Sequence, residues 1–264
     1  MIERTERWLR ELFNYRFMFR ELVARELKGR YRNTLIGYLW HLVNPISMVL
    51  IFMLVFSSVF GRTIDDYWIY LCSGMFPWHL FSSALNSGCH SIIGNAEMVK
   101  KMYFPRDVLV YSTIASSLIN FTISYIIVIT LVLLSGHGFD ILALIALPFV
   151  VALLTVFSTG WALALSAATV YVRDVAYGVG IVTMLWIWVT PILYMMDSSR
   201  GAMLEWVLRI NPLTYFIECF HSILYDGVLP HAGDILVCSI LAAASFIIGI
   251  TVFKRLERGF SERL

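Results

Sequence analysis

The sequence is poor in charge. Asp, Glu, Lys and Arg make up 14% of its 264 residues, against about 25% in an ordinary soluble domain, and 59% are hydrophobic. That balance excludes an ordinary soluble domain. It also excludes a disordered chain, which needs low hydrophobicity and high charge. Motifs that carry chemistry are missing too. No Gly-x-x-x-x-Gly-Lys-Ser/Thr phosphate loop occurs, so the chain has no such route to ATP, and there is no His-Glu-x-x-His or Cys-x-x-Cys. The four cysteines, Cys72, Cys89, Cys219 and Cys238, stand singly in or near apolar segments and give no disulfide framework. The six histidines are isolated; His79 and His90, 11 residues apart, read as polar packing residues. No metal, bound cofactor or nucleic acid is expected for this chain.

What charge there is lies in segregated places. Thr34–Phe60, Tyr67–Ile93, Val108–Leu134, Ile141–Val172, Val175–Met196 and Ile235–Phe253 contain no Asp, Glu, Lys or Arg. A helix needs about 20 apolar residues to cross the hydrocarbon core. The expected fold is therefore an all-α integral membrane protein with six transmembrane helices. Residues 1–33 form a separate amphipathic segment and 34–264 the transmembrane domain. Cytoplasmic loops carry excess Lys and Arg. With six spans, both termini share a side with the 94–107 loop and Arg173, and that side holds 17 of the 20 Lys and Arg residues. Both termini are thus expected in the cytoplasm, and the charged N-terminus does not read as a cleavable signal.

The absence of charge inside the spans also bears on function. Proton-coupled carriers and intramembrane catalysts need ionisable groups at membrane depth. Here the one candidate carboxylate is Glu218. It lies in Trp206–Tyr225, an apolar stretch interrupted by Arg209 and by Asn211-Pro212. Pro212 disfavours helix at Asn211. If this stretch crossed, the C-terminal basic residues would land outside. It reads as a re-entrant pair of helices within an external segment, 200–226, or as a helix in the outer interface. Any energy for transport then enters through the cytoplasmic surface.

Two cytoplasmic features are candidates for that entry. Residues 3–32 carry Trp8, Leu12, Tyr15, Phe19, Leu22, Val23 and Leu27 at helical spacing, with a basic opposite face. Such a helix lies in the membrane surface, as an anchor or as a docking face for a partner. The second feature is the loop Asn95–Asp107. Glu97, Lys100 and Lys101 are expected to face water. Met98, Val99, Met102, Tyr103 and Phe104 either pack back on the protein or fill a cleft on another subunit, and Pro105 ends any helix begun at Asn95. Within the spans, aromatics abound, and Gly160, Ala164 and Ala168 make a small-residue row suited to close helix contact.

Together these stretches resemble the permease subunit of ABC transporters with a type-2 transmembrane domain, in the branch exporting O-antigen, capsule and teichoic acid. The resemblance rests on Arg30-Tyr-Arg-Asn-Thr-Leu-Ile-Gly-Tyr-Leu-Trp40, on Asn44-Pro45, and on Val99-Lys-Lys-Met-Tyr-Phe-Pro-Arg106. It continues in Tyr171-Val-Arg-Asp174, Thr190-Pro-Ile-Leu-Tyr194 and Asn211-Pro-Leu-Thr214, nearly the whole chain in order. Asp107 stands where the family more often has Glu.

The resemblance implies a homodimer around a central channel in the bacterial cytoplasmic membrane, with two ABC ATPase subunits docked below that hold ATP and Mg. Asn95, Glu97, Met98, Val99, Lys100, Lys101, Tyr103, Phe104, Pro105 and Arg106 would form the coupling segment. Phe52, Phe56, Trp186 and Tyr194 would line the channel, and Asn211, Pro212 and Glu218 would belong to an external gate. The cargo would be a glycan on a polyprenyl diphosphate lipid, with its acidic head near Arg25, Lys28, Arg30 and Arg32. Other readings are an exporter of a drug or small lipid, and a secondary carrier or membrane enzyme acting on polyprenyl-linked sugars. A carrier would work without any ATPase. An enzyme would need an acidic or His cluster at the membrane surface, and the only acidic pair is Asp65-Asp66.

Overall fold

The computed structural model describes residues 15–29, 40–59, 66–138, 140–195, 206 and 208–264. Every regular element among them is helical. In chain order these are α1 (Arg16–Gly29), α2 (Trp40–Val59), α3 (Tyr67–Ser91), α4 (Ala96–Lys101) and α5 (Asp107–Leu134). There follow α6 (Ile141–Tyr171), α7 (Asp174–Trp186), α8 (Pro212–Leu224), α9 (Ala232–Leu256) and the short α10 (Phe260–Arg263). Asp107–Leu134, Ile141–Tyr171 and Ala232–Gly259 are long and apolar enough to cross a membrane, while Ile46–Val55 and Asp174–Val189 are shorter apolar helices. At 25 residues α3 spans about 37 Å, so Tyr67 and Ser91 lie at opposite ends of the molecule. Its Ser, His and Asn residues make it more polar than α5, α6 and α9.

The helices start where side chains can satisfy the backbone. Asp140 accepts from the Leu142 amide at 3.0 Å and so caps α6. Asn211 accepts from the Leu213 amide at 3.0 Å, and Pro212 occupies the first turn of α8, where its missing N–H costs nothing. The tightest crossing joins α6 to α9. A Cβ on Gly249 would fall inside the envelope of the Gly160 carbonyl, and one on Gly160 would strike the backbone of Ser245. Ser245 Oγ donates to the Phe157 carbonyl at 2.8 Å in the same crossing. Gly160 of the small-residue row therefore works with Gly249, a partner 89 positions later.

Two apolar clusters organise the packing. The larger gathers Phe76, Phe81, Tyr125, Phe157, Phe216 and Phe220 from α3, α5, α6 and α8. The smaller lies at the other end, around Leu22, Ile92, Val99, Phe104, Phe253 and Phe260. Two expectations need correcting. The charge-free run 175–196 is not one helix: α7 ends at Trp186, one 3₁₀ turn covers Ile187–Val189, and Thr190 is extended. Pro191 is the cause, since it pushes the preceding residue out of the helical region. In the 94–107 loop the helix stops at Lys101, with Met102 already extended, well before Pro105.

Candidate functional site

At the end of the molecule that carries α4, the loop is divided into an anchored side and an open side. Val99 and Phe104 are buried in the smaller cluster, with Met98 half-buried beside them. Tyr103, by contrast, is fully exposed (101%), and Met102 is exposed as well. Tyr103 and Phe104 separate after the helix has ended: Met102 is extended, and the chain bends at Phe104, which turns inward. Glu97 and Lys101 pair across one helical turn at 2.5 Å, and both are open to solvent, as is Lys100. Pro105 and Arg106 are half-buried.

The base of this loop is tied to the C-terminal segment. Arg106 Nη1 donates to the Glu257 carbonyl at 2.6 Å, and its guanidinium lies over the Phe260 ring. The Asp107 carboxylate, wholly buried, meets Lys254 Nζ at 3.2 Å, and Lys254 also reaches Glu257 at 3.1 Å. Lys254 thus sits between two carboxylates, one buried and one on the following turn. Tyr171, at the end of α6, donates to the Leu256 carbonyl at 2.9 Å. Nothing in the sequence pairs Asp107 with Lys254, 147 residues away, and this clamp is what sequence reasoning missed.

The amphipathic N-terminal segment is visible as α1. Leu22 and Val23 are buried, Leu22 joins the smaller cluster, and α1 packs along α5. Arg25 and Lys28 are exposed, and the Arg25 guanidinium donates to Asn95 Oδ1, linking α1 to the start of the loop. Arg30, Arg32 and residues 1–14 lie outside the described residues.

At the opposite end, Asn211 is the junction. Its Oδ1 caps α8 and also accepts from Trp186 Nε1 at 3.0 Å; its Nδ2 donates to the Val189 carbonyl and to Thr190 Oγ1, both at 3.0 Å. All four of its hydrogen-bonding positions are used. Pro191 contributes a carbonyl that lies 3.0 Å from both Tyr70 Oη and His221 Nε2. Burial pushes the His221 pKa down to about 4, so the ring is neutral at pH 7. It then carries its proton on Nε2, facing the Pro191 carbonyl, and Nδ1 lies 2.7 Å from Ser73 Oγ. The ring stacks on Tyr70 with centroids 4.0 Å apart.

The expected channel residues gather near this junction. Trp186 meets Phe81 edge-on with centroids 5.7 Å apart, Phe52 meets Trp188 edge-on at 6.2 Å, and Tyr194 Oη donates to the Trp188 carbonyl at 3.1 Å. The Phe56 side chain lies outside the described residues. Glu218, half-buried on α8, has its pKa pushed up to about 7, first by burial and then by Asp226 and Asp234. Among the described residues no group of three or more His, Cys, Asp or Glu is placed to hold a metal ion.

A two-ended protein with a solvent-presented loop at one end and a broken-helix junction at the other matches known sequences along nearly its whole length. The profile of the ABC-2 type transporter family matches residues 18–225. The chain belongs to that family. Among curated relatives of this ABC-2 type chain is an O-antigen export system permease protein of Myxococcus xanthus, 28% identical over 270 residues, 98% of this chain and 99% of the relative. A Klebsiella pneumoniae protein of the same description is 29% identical over 262 residues, covering 97% and 99%. A polysialic acid transport protein of Escherichia coli is 22% identical over 239 residues, covering 89% and 92%. The family profile runs from within α1 to just past α8, and so includes the α4 loop and the Asn211 junction.

Proposed function

We propose that this chain is the membrane-spanning permease subunit of an ATP-driven exporter. Its cargo is a surface polysaccharide on a polyprenyl diphosphate lipid, moved across the bacterial cytoplasmic membrane. The supporting observation is similarity to permeases named for O-antigen export over 97–98% of this chain. In this reading the chain crosses six times, with α2, α3 and α7 joining the three long apolar helices. Both termini and α4 face the cytoplasm. Two copies enclose the channel, with Phe52, Phe56, Trp186 and Tyr194 along it and the 200–226 segment at its outer mouth.

Energy enters from two ATPase subunits that hold ATP and Mg, because this chain has no phosphate loop of its own. Those subunits seat the exposed face of the loop: Tyr103, Met102 and the Glu97–Lys101 edge. Val99 and Phe104 serve as the inward anchor of that face, and Arg106, Asp107 and Lys254 fix its base to α9. A rigid base lets a push on the exposed face reach α5 and α9 together. The basic surface of Arg25, Lys28, Arg30 and Arg32 meets the acidic head of the lipid.

The test is mild-detergent purification of the tagged chain from its native membrane, with ATP hydrolysis assayed on what co-purifies. A stoichiometric ATPase is expected. Tyr103→Asp is expected to lose it while the chain stays folded, because a fully exposed side chain outside any buried network changes stability by only about 0.5 kcal/mol. A folded chain that purifies alone, with no ATPase activity, overturns the proposal.

A further inference from the structure

A cavity of about 690 Å³ opens between α1 and the end of α3 that leads into α4. In a chain that is 59% hydrophobic, its lining includes no Val, Leu, Ile, Met, Phe, Tyr or Trp among the described residues. Arg25, Glu26, Asn86, His90, Asn95 and Thr113 make its walls, together with serines and glycines. A cleft of this size falls in the range of about 300–1,000 Å³ used for small organic ligands, and most such sites are largely apolar. This one is suited to a polar guest.

The hydrogen bonds already made around the cleft say which kind. Ser91 Oγ donates to the Gly88 carbonyl at 2.7 Å and Thr113 Oγ1 to the Val110 carbonyl at 2.8 Å, so each hydroxyl has used its proton and offers lone pairs. His90 Nδ1 faces the Asn86 carbonyl at 2.9 Å and must donate to it, which leaves Nε2 as the ring nitrogen open to a guest. Asn86 Nδ2 is taken by the Ser82 carbonyl at 2.8 Å and Thr183 Oγ1 at 3.3 Å, leaving its oxygen. Asn95 donates to the Ser91 carbonyl, and its oxygen holds Arg25. Glu26 adds a carboxylate and balances the charge of Arg25. Apart from the Arg25 guanidinium, the side chains whose hydrogen bonds are traced here offer acceptors. A bare phosphate, which only accepts, would find few partners beyond Arg25. A sugar brings a ring of O–H donors.

We infer that this cleft is a saccharide-binding site that takes the hydroxyl-rich end of the cargo next to its lipid diphosphate, before translocation. The inference rests on the reading above that the cargo is a lipid-linked glycan. It differs from a charge-only docking of the lipid head, because the recognised part is the sugar.

The experiment uses the full permease–ATPase complex with Gly94→Cys as a reporter on the rim. A Cβ at Gly94 meets nothing within 4 Å, and the four native cysteines are buried, so within this chain a water-soluble maleimide reads the new thiol, scored on the permease band after the subunits are separated. The probes are the glycan released by mild acid from the lipid-linked pool of the producing cells, a sugar-free polyprenyl diphosphate, and spermidine as a cationic donor. The free glycan should slow labelling several-fold, the sugar-free polyprenyl diphosphate clearly less, and spermidine not at all. Adding His90→Phe or Thr113→Val should erase the protection without loss of the bound ATPase. His90→Gln, which keeps an acceptor, should retain part of it. Absence of glycan protection, equal protection by polyprenyl diphosphate or spermidine, or protection that survives His90→Phe and Thr113→Val each overturns the site. The cargo reading fails separately, if wild-type complex in vesicles does not translocate the intact lipid-linked glycan on ATP addition.

Discussion

The ion pair between Asp107 and Lys254 should respond unequally to loss of its two members. Asp107 is wholly buried at the start of α5, whereas the Lys254 side chain is 41% exposed at the end of α9. Lys254→Met keeps the apolar stem and removes the charge, so a buried carboxylate loses the cation 3.2 Å away. Stranding one member of a buried pair costs about 3–5 kcal/mol, and the half-open position of Lys254 brings the expectation to the low end, about 3 kcal/mol. For a chain of this size that is a fall in Tm on the order of 6–12 °C. Asp107→Asn leaves Lys254 with Glu257 at 3.1 Å and with water, so its loss should be about 1 kcal/mol. The double variant should sit near the Asn single, because no charge is then left buried. Thermal unfolding of the four proteins in one detergent, read by the monodisperse fraction after heating, gives the cycle. A Met variant no less stable than the Asn variant, or additive losses, would refute the buried clamp. The same four proteins, assembled with the ATPase, should show a matching loss of transport per ATP hydrolysed if the clamp carries force from loop to helix.

Two further predictions bear on the helix crossing and the outer end. Gly249→Val places side-chain atoms against the Gly160 backbone, which cannot rotate away, so it should destabilise by about 3 kcal/mol or more. Gly233→Val, where a Cβ meets nothing within 4 Å, is the control, and equal losses would sink the close-crossing argument. For Glu218, ionisation near 4.5 in the unfolded chain against about 7 in the folded one means that its contribution is full below pH 4.5. It is lost as pH rises toward 7 and flat above. Tm should therefore fall between pH 5 and 7.5 in the wild type and fall less in Glu218→Gln; parallel curves would show that burial of Glu218 is not the source.

How much of this was legible in the sequence depends on whether a feature is written locally. Runs without charge are local. The long helices α5, α6 and α9, and α3, lie where those runs predicted, because a missing charge is a property of each residue taken alone. The end of α7 was also local but weaker: Pro191 marks it, yet charge counting passed over it and extended the helix to 196. Loop geometry was half legible. Composition picked out the apolar residues of 95–107 without saying which face outward. Tyr103 and Phe104 are neighbours of similar character, and the bend of the chain at Phe104 sends one to solvent and the other to the core. Pairings were not legible at all. Gly160 was visible as a small residue in a row, but the residue that needs its missing side chain is Gly249. Asp107 was visible only as a small departure from a family pattern, and its meaning comes from Lys254.

Asn211 shows why such pairings concentrate at broken helices. The break after Trp186 and the start of α8 leave backbone and side-chain groups that no helix satisfies, and an apolar surrounding makes each of them costly. One amide side chain answers four of them at once. That requires Trp186, Val189, Thr190 and Leu213 to converge on a single point. In the sequence the same residue is just the first half of an Asn-Pro dipeptide, a sign that a helix stops and another starts. The dipeptide marks the break, and the fold decides what the break is used to join.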